Sequence, residues 1–264
     1  MSNMLFQIKQ YIQFLIKAQT RFTIHSPFVY NLVEQVFRDH KVYPEYAQLN
    51  QMKNALLKRR SVVETVDFGS GAGNSKYKTK RLPLKTIVKQ RSQHKSRLEL
   101  LYRLSKSTHP EYILEFGTAA GVSSAYLKSG APDSQMITME GCSGLAAIAQ
   151  EVFQQLNLSN IEVEVGNFDV ILDDVLKKFT RLDFVFFDGN HRKEPTLDYF
   201  YKCLPLAHEN TLFIFDDIHW SLEMKEAWEE IKRSDEVSIT IDLFWFGLVF
   251  FRKGIEKQDF VIRY

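Results

Sequence analysis

Two short stretches concentrate polar chemistry where an apolar run ends. FFDGNH supplies Asp188, Asn190 and His191, and FDDIHW supplies Asp216, Asp217 and His219. Oxygen-rich groups of this kind suit a hard divalent cation such as Mg²⁺, which takes a few carboxylates and keeps several waters. A bound cation can hold a hydroxyl, lower its pKa and orient it. A histidine, with an ordinary pKa of about 6.5, is then a suitable base near neutral pH, and His191 is the candidate. The same residues also have a plainer reading. Acids at strand ends often cap the next helix, and either Asp217 or Ser221 could cap SLEMKEAWEEIKRS.

A second signal is a glycine-rich turn after a strand, which brings backbone amides close to a nucleotide. It occurs twice, in VVETVDFGSGAGNSK from Val62 and in YILEFGTAAGVSSAYL from Tyr112. A nucleotide-binding βαβ unit needs a strand feeding the turn, a helix directly after it, and an acid ending the next strand to hold ribose hydroxyls. The second stretch has all three: YILEF, then GTAAG, then VSSAYLKSG, with QMITME ending at Glu140, 19 residues beyond Gly121. The first has only the opening. SKYKTKRLP lacks an apolar face, and no carboxylate stands near Ile87, Val88 and Lys89, where the ribose acid would fall. Tyr112–Glu140 is therefore the expected cofactor site. The Asp67–Asn74 loop is either a flexible turn or, together with the basic segment after it, a lid over a ligand.

The spacing Glu115-x-Gly117-x-x-x-Gly121 differs from G-x-G-x-x-G, whose close-set glycines admit a pyrophosphate. A carboxylate two residues before the first glycine could face a cationic group instead. S-adenosylmethionine has an amino-acid end and a sulfonium but no phosphate, and is favoured over NAD.

These residues need a scaffold. Apolar runs at YILEF, QMITME, IEVEV, LDFVFFD and NTLFIFDD alternate with helix-like stretches, which implies a parallel sheet covered by helices on both faces. VSITIDLFWFGLVFFRK reads as two tightly joined strands that add an antiparallel edge. The expected fold is α/β, a doubly wound, mostly parallel seven-stranded sheet with an antiparallel C-terminal hairpin and an N-terminal helical cap. Ligands then sit at the carboxyl ends of the strands. Up to about Arg60 the chain reads helical. HSPFVYNLVEQVFRDH offers Ser26 as N-cap and Pro27 in the first turn. A basic, less regular segment follows to about His94. The expected division is residues 1–94 as cap and loop, and 95–264 as the cofactor-binding domain.

The region from about Lys95 onward, some two-thirds of the chain, resembles the class I S-adenosylmethionine-dependent methyltransferases. LELLYRLSKSTHPEYILEFGTAAGVSSAYL is similar to the entry segment of the catechol and caffeoyl-CoA-type O-methyltransferases. LDFVFFDGNH followed by FIFDDIHW is similar to the macrocin-type sugar O-methyltransferases. The resemblance implies that Glu115, Gly117 and Gly121 line the methionine end of the cofactor, with Ser123 near its carboxylate. It also implies that Glu140 holds the ribose and that Gly166 and Asn167 border the adenine. The metal-dependent relatives place an acid at the first strand end and a pair at the second, which maps onto Asp188, Asp216 and Asp217. In the caffeoyl-CoA type a lysine stands where this chain has His191.

The bulk numbers set the remaining bounds. The 45% hydrophobic and 25% charged composition is that of an ordinary globular chain. Cys142 and Cys203 fall in no zinc or CxxC pattern, so a reducing cytoplasm is expected. MLFQIKQYIQFLIKAQ is too short and too charged to span a bilayer. It reads as an amphipathic helix that packs on its own domain or on a second copy. Charge is near balance at 34 basic against 32 acidic residues, yet Lys76–Arg97 holds nine cations and no acid. That run is either a solvated connector or a phosphate contact. The expected partner is a small hydroxylated acceptor, with no membrane and a homodimer as an option. The alternatives are RNA docked on the basic run, a nucleotide-fold protein that binds without catalysis, and an NAD-dependent oxidoreductase.

Overall fold

The computed structural model describes residues 3–67 and 78–264. Helix α1 (Asn3–Lys17) buries Gln10 and Phe14. Helix α2 (Pro27–Leu32) starts as its sequence requires, with Ser26 Oγ accepting from the Val29 amide at 3.5 Å and Pro27 in the first turn. The chain then widens over Val33–Phe37, where the Arg38 amide donates to the Val33 carbonyl at 2.9 Å. Val33, Val36 and Phe37 are all buried there. Helix α3 (Glu45–Lys58) follows.

The segment from Arg60 to His94 is more regular than its sequence suggests. It holds an antiparallel pair, β1 (Val62–Asp67) and β2 (Lys78–Pro83), and a short helix, α4 (Leu84–Arg91). Strand β2 pairs on one side only, so Lys80 and Arg81 stay in water and leave no apolar period to read. From residue 68 the Asp67–Asn74 loop lies outside the described residues, as do Lys76 and Tyr77 of the basic run.

Helix α5 (Lys95–Thr108) opens the alternating part: β3 (Tyr112–Phe116), α6 (Val122–Gly130), β4 (Gln135–Glu140), α7 (Ser143–Gln155), β5 (Ile161–Val165) and α8 (Phe168–Leu176). It continues through β6 (Leu182–Phe187), α9 (Lys193–Cys203), β7 (Ala207–Asp216), α10 (Leu222–Arg233), β8 (Ile239–Asp242), β9 (Phe246–Phe250) and β10 (Gln258–Val261).

The chain divides into two compact units. Residues 39–178 carry β3, β4 and β5 as adjacent parallel strands. Leu98 and Tyr102 of α5, Tyr126 of α6, Leu145 and Ala149 of α7, and Val63 of β1 share one apolar cluster. Residues 1–38 and 179–264 carry the order β10-β8-β9-β7-β6. There β6 and β7 are parallel, β9 is antiparallel to both β7 and β8, and β10 is parallel to β8. The central sheet has eight strands, not the expected seven. The additional strand is β10, whose QDFV is four residues long with Phe260 buried, too short to show a period. Phe244 and Phe246 are buried within their own chain, and only Trp245 of that aromatic run is part-exposed.

Candidate active site

In the unit of residues 39–178, the turn after β3 is built around a buried carboxylate. Glu115 lies opposite Thr138 of β4 and is fully buried. It accepts from Thr138 Oγ1 at 2.6 Å and from Ser124 Oγ, and Thr118 Oγ1 lies 2.6 Å from Thr138 Oγ1. Burying a carboxylate without such donors would cost several kcal/mol. Here the hydroxyls join β4, the turn and the start of α6 to one side chain. Glu115 therefore faces the protein's own polar network.

The turn itself needs left-handed backbone at Gly117 (φ 98°), Ala119 (φ 46°) and Gly121 (φ 78°). A Cβ on Gly121 would also meet Phe153 Cε1 at 2.9 Å and Ala149 Cα at 3.1 Å, so α7 closes that position to any side chain. Ser123 sits in the first turn of α6 and is buried.

Glu140 ends β4 and uses both oxygens. Oε2 accepts from the Ala119 amide at 2.8 Å and Oε1 from the Cys142 amide at 2.9 Å. Burial raises its pKa above the usual carboxylate value, against the opposing pull of the Cys142 and Ala119 amides and the charge of Arg91. The Gly166 amide donates to the Glu140 carbonyl at 3.0 Å. Asn167 caps α8, accepting from the Asp169 amide at 3.1 Å. Glu115, Gly117, Gly121, Ser123, Glu140, Gly166 and Asn167 thus all lie at the carboxyl ends of three adjacent parallel strands, where open sheets bind ligands.

The unit of residues 1–38 and 179–264 carries the acids. Phe187 of β6 pairs with Phe215 of β7, which sets the next residues, Asp188 and Asp216, side by side. Asp188, His191 and Asp216 each offer a ligand atom, all within 4.8 Å of one another. His191 Nε2 is 3.6 Å from Asp188 Oδ1. Asn190 (φ 69°) and His191 (φ 43°) are both left-handed, a strained arrangement that costs of order 1–3 kcal/mol per residue. Asn190 stabilises it by donating to Tyr199 Oη at 3.0 Å and accepting from Arg192 Nε at 2.9 Å. Asp217 is not part of the converging group. Its φ is 54°, its carbonyl accepts from the Trp220 amide at 2.8 Å, and Ser221, not Asp217, caps α10.

Residues 114–218, from the middle of β3 to just past Asp216, match the family model described as a methyltransferase domain. Over that stretch the chain is similar to methyltransferase domains. Comparison with curated proteins gave no match. Among solved structures, the chain is similar to the SAH-bound methyltransferase PaMTH1 of Podospora anserina, at 12% identity over 87% of this chain and 97% of that one, with a TM-score of 0.59. It is also similar to the O-methyltransferase TomG of Streptomyces achromogenes, involved in tomaymycin synthesis and in complex with SAM (19% identity, 85% and 95% covered, TM-score 0.57). A third is an O-methyltransferase of Bacillus cereus in complex with SAH (17% identity, 83% and 94% covered, TM-score 0.55). At these identities the likeness is one of fold, the Rossmann-like fold of class I methyltransferases.

Two groups of contacts in and beside residues 114–218 escaped the sequence reading. One is the hydroxyl set of Thr118, Ser124 and Thr138, and Thr138 was visible as a polar residue inside the apolar QMITME. The other ties the turn after β7 to the β8–β9 turn. His219 Nε2 lies 2.7 Å from Asp242 Oδ2, and its ring stacks on Phe244 at 5.2 Å. Asp242 Oδ1 accepts from the Phe244 amide at 2.7 Å. Strand β9 is antiparallel to both β7 and β8, so the acid ending VSITID stands at the same sheet edge as Asp216. Its place at a strand end, like that of Asp188 and Asp216, was a signal in plain view.

Proposed function

We propose that this chain transfers a methyl group from S-adenosylmethionine to an oxygen of a small hydroxylated acceptor. The observation that carries the reading is Glu140. It is a carboxylate ending the second strand of the domain, held by two amides beside a left-handed glycine turn. This donor and acceptor set fits the cofactor, since a fixed carboxylate can take both ribose hydroxyls and the turn offers backbone without side chains. Gly117, Gly121 and Ser123 would meet the methionine end, on a turn that Glu115 braces from inside. Gly166 and Asn167 would border the adenine. TomG and the Bacillus cereus enzyme, both O-methyltransferases, hold SAM and SAH.

Asp188 and Asp216 are converging oxygen donors that fit a hard divalent cation such as Mg²⁺, with Asp217 the next acid on the same turn. Such a cation, when bound, supplies charge that orients an acceptor hydroxyl and makes it more acidic. S-adenosylmethionine, when bound, would supply the methyl group and keep the S–C electron pair as the acceptor oxygen takes the carbon. The hydroxyl proton must go elsewhere, and His191 Nε2, beside Asp188 at 3.6 Å, is the group to take it. The carboxylate of Asp188 then stabilises the imidazolium. Residues 95–264 would carry this chemistry, with 1–94 as the cap. Two buried free thiols, Cys142 and Cys203, are in keeping with a reducing cytoplasm.

Calorimetric titration of S-adenosylhomocysteine, and separately NADH, with and without Mg²⁺, tests the reading. Micromolar binding of the first alone is expected. Binding of NADH alone would sink the proposal.

A further inference from the structure

Helix α1 is apolar on two faces. One is used within the chain. Phe14 and Gln10 are buried, and Tyr11 and Phe14 pack on Phe244 with ring centroids 4.9 and 5.5 Å apart. The other face is open. Met4, Leu5, Ile8, Ile12, Leu15 and Ile16 are between 39 and 79% exposed. With 3.6 residues per turn they fall on one arc of roughly 120°, into which no polar residue projects. With Tyr11 at its edge, the stripe exposes roughly 750 Å² of mostly apolar surface. That exceeds the ~300–600 Å² of the largest patch on a typical monomer and approaches the ~800 Å² each partner gives to a stable interface.

We infer that this face of α1 is the interface with a second copy of the chain. A stripe without charge can lie on its own two-fold mate without opposing like charges or stranding a polar group. A helix that lies on lipid keeps a solvated cationic face. Between Asn3 and Lys17 the only charges are Lys9 and Lys17, which with Gln13 form an exposed sector carrying just two cations. The area, and a polar sector with only two cations where a helix on lipid is rich in lysine and arginine, favour a second copy over a lipid surface.

Sedimentation velocity of the full chain and of the Ile8→Asp/Ile12→Asp double variant tests this. The expected result is a dimer for the wild type and a monomer for the variant, with the far-UV circular dichroism of the wild type. Lys9→Ala, outside the stripe, should remain dimeric. If the double variant fails to fold, Ile12→Cys in the otherwise wild-type chain replaces it. A disulfide-linked dimer on mild oxidation supports the interface, and its absence counts against it. A wild type that stays monomeric up to about 100 µM, where an interface of this area should hold, overturns the inference. So does a dimer that survives the double substitution, or a monomer that floats with phosphatidylcholine–phosphatidylglycerol vesicles.

Discussion

A carboxylate whose two oxygens are both fixed by backbone amides cannot turn away from the end of its strand. That makes Glu140 a ready acceptor for a diol, and it defines the first prediction. Hydrogen bonds to a charged group contribute about 1.5–3 kcal/mol, so Glu140→Ala should weaken S-adenosylhomocysteine binding by about 10–100-fold in a calorimetric titration. Asp216→Asn should leave that affinity unchanged and abolish Mg²⁺-dependent turnover in a methyl-transfer assay. The place of Glu140 at the end of β4 was legible because it follows from spacing along the chain. The grouping of Asp188 and Asp216 with His191, and not with Asp217, was not legible. It depends on the register of β6 against β7, which pairs Phe187 with Phe215 and so sets Asp188 beside Asp216. A further test concerns Lys128, which is buried and donates to the Pro132 and Ser134 carbonyls. Burial lowers its pKa from 10.5 to about 8. Between those values the unfolded chain binds more protons than the folded one, so this residue's contribution to stability rises with pH. Lys128→Met should lack that rise, and urea unfolding of both proteins at pH 7.5 and 9.5 would reveal it.

At the scale of elements, strands β3 to β7 were readable as apolar runs alternating with helix-like stretches, and β8 and β9 as a tightly joined pair. Three elements were not. Strand β2 is basic and paired on one side, α4 buries only Leu84, Ile87 and Val88, and β10 is a four-residue edge. Short elements at an edge bury too few side chains to imprint a period on the sequence. The long elements also show what single positions contribute. Ser221→Ala removes the cap of α10 and should cost about 1 kcal/mol in chemical denaturation. Gly121→Ala should cost about 2–5 kcal/mol, the sum of a left-handed alanine and a clash with Phe153 and Ala149.

For the whole molecule, the telling feature is that one unit is assembled from two distant parts of the chain. The Gln19 amide donates to the Val261 carbonyl at 2.7 Å, and Phe260 and Ile262 are buried. On a ribosome adding about 5–20 residues per second, α1 emerges roughly ten to forty seconds before the strands that cover its inner face. Residues 39–178, by contrast, form one unbroken stretch and can close while translation continues. A fifteen-residue helix alone in water is marginal. The nascent chain therefore carries α1 as an apolar segment with only two charges, Lys9 and Lys17, throughout that delay, which makes it the natural place for a chaperone to hold.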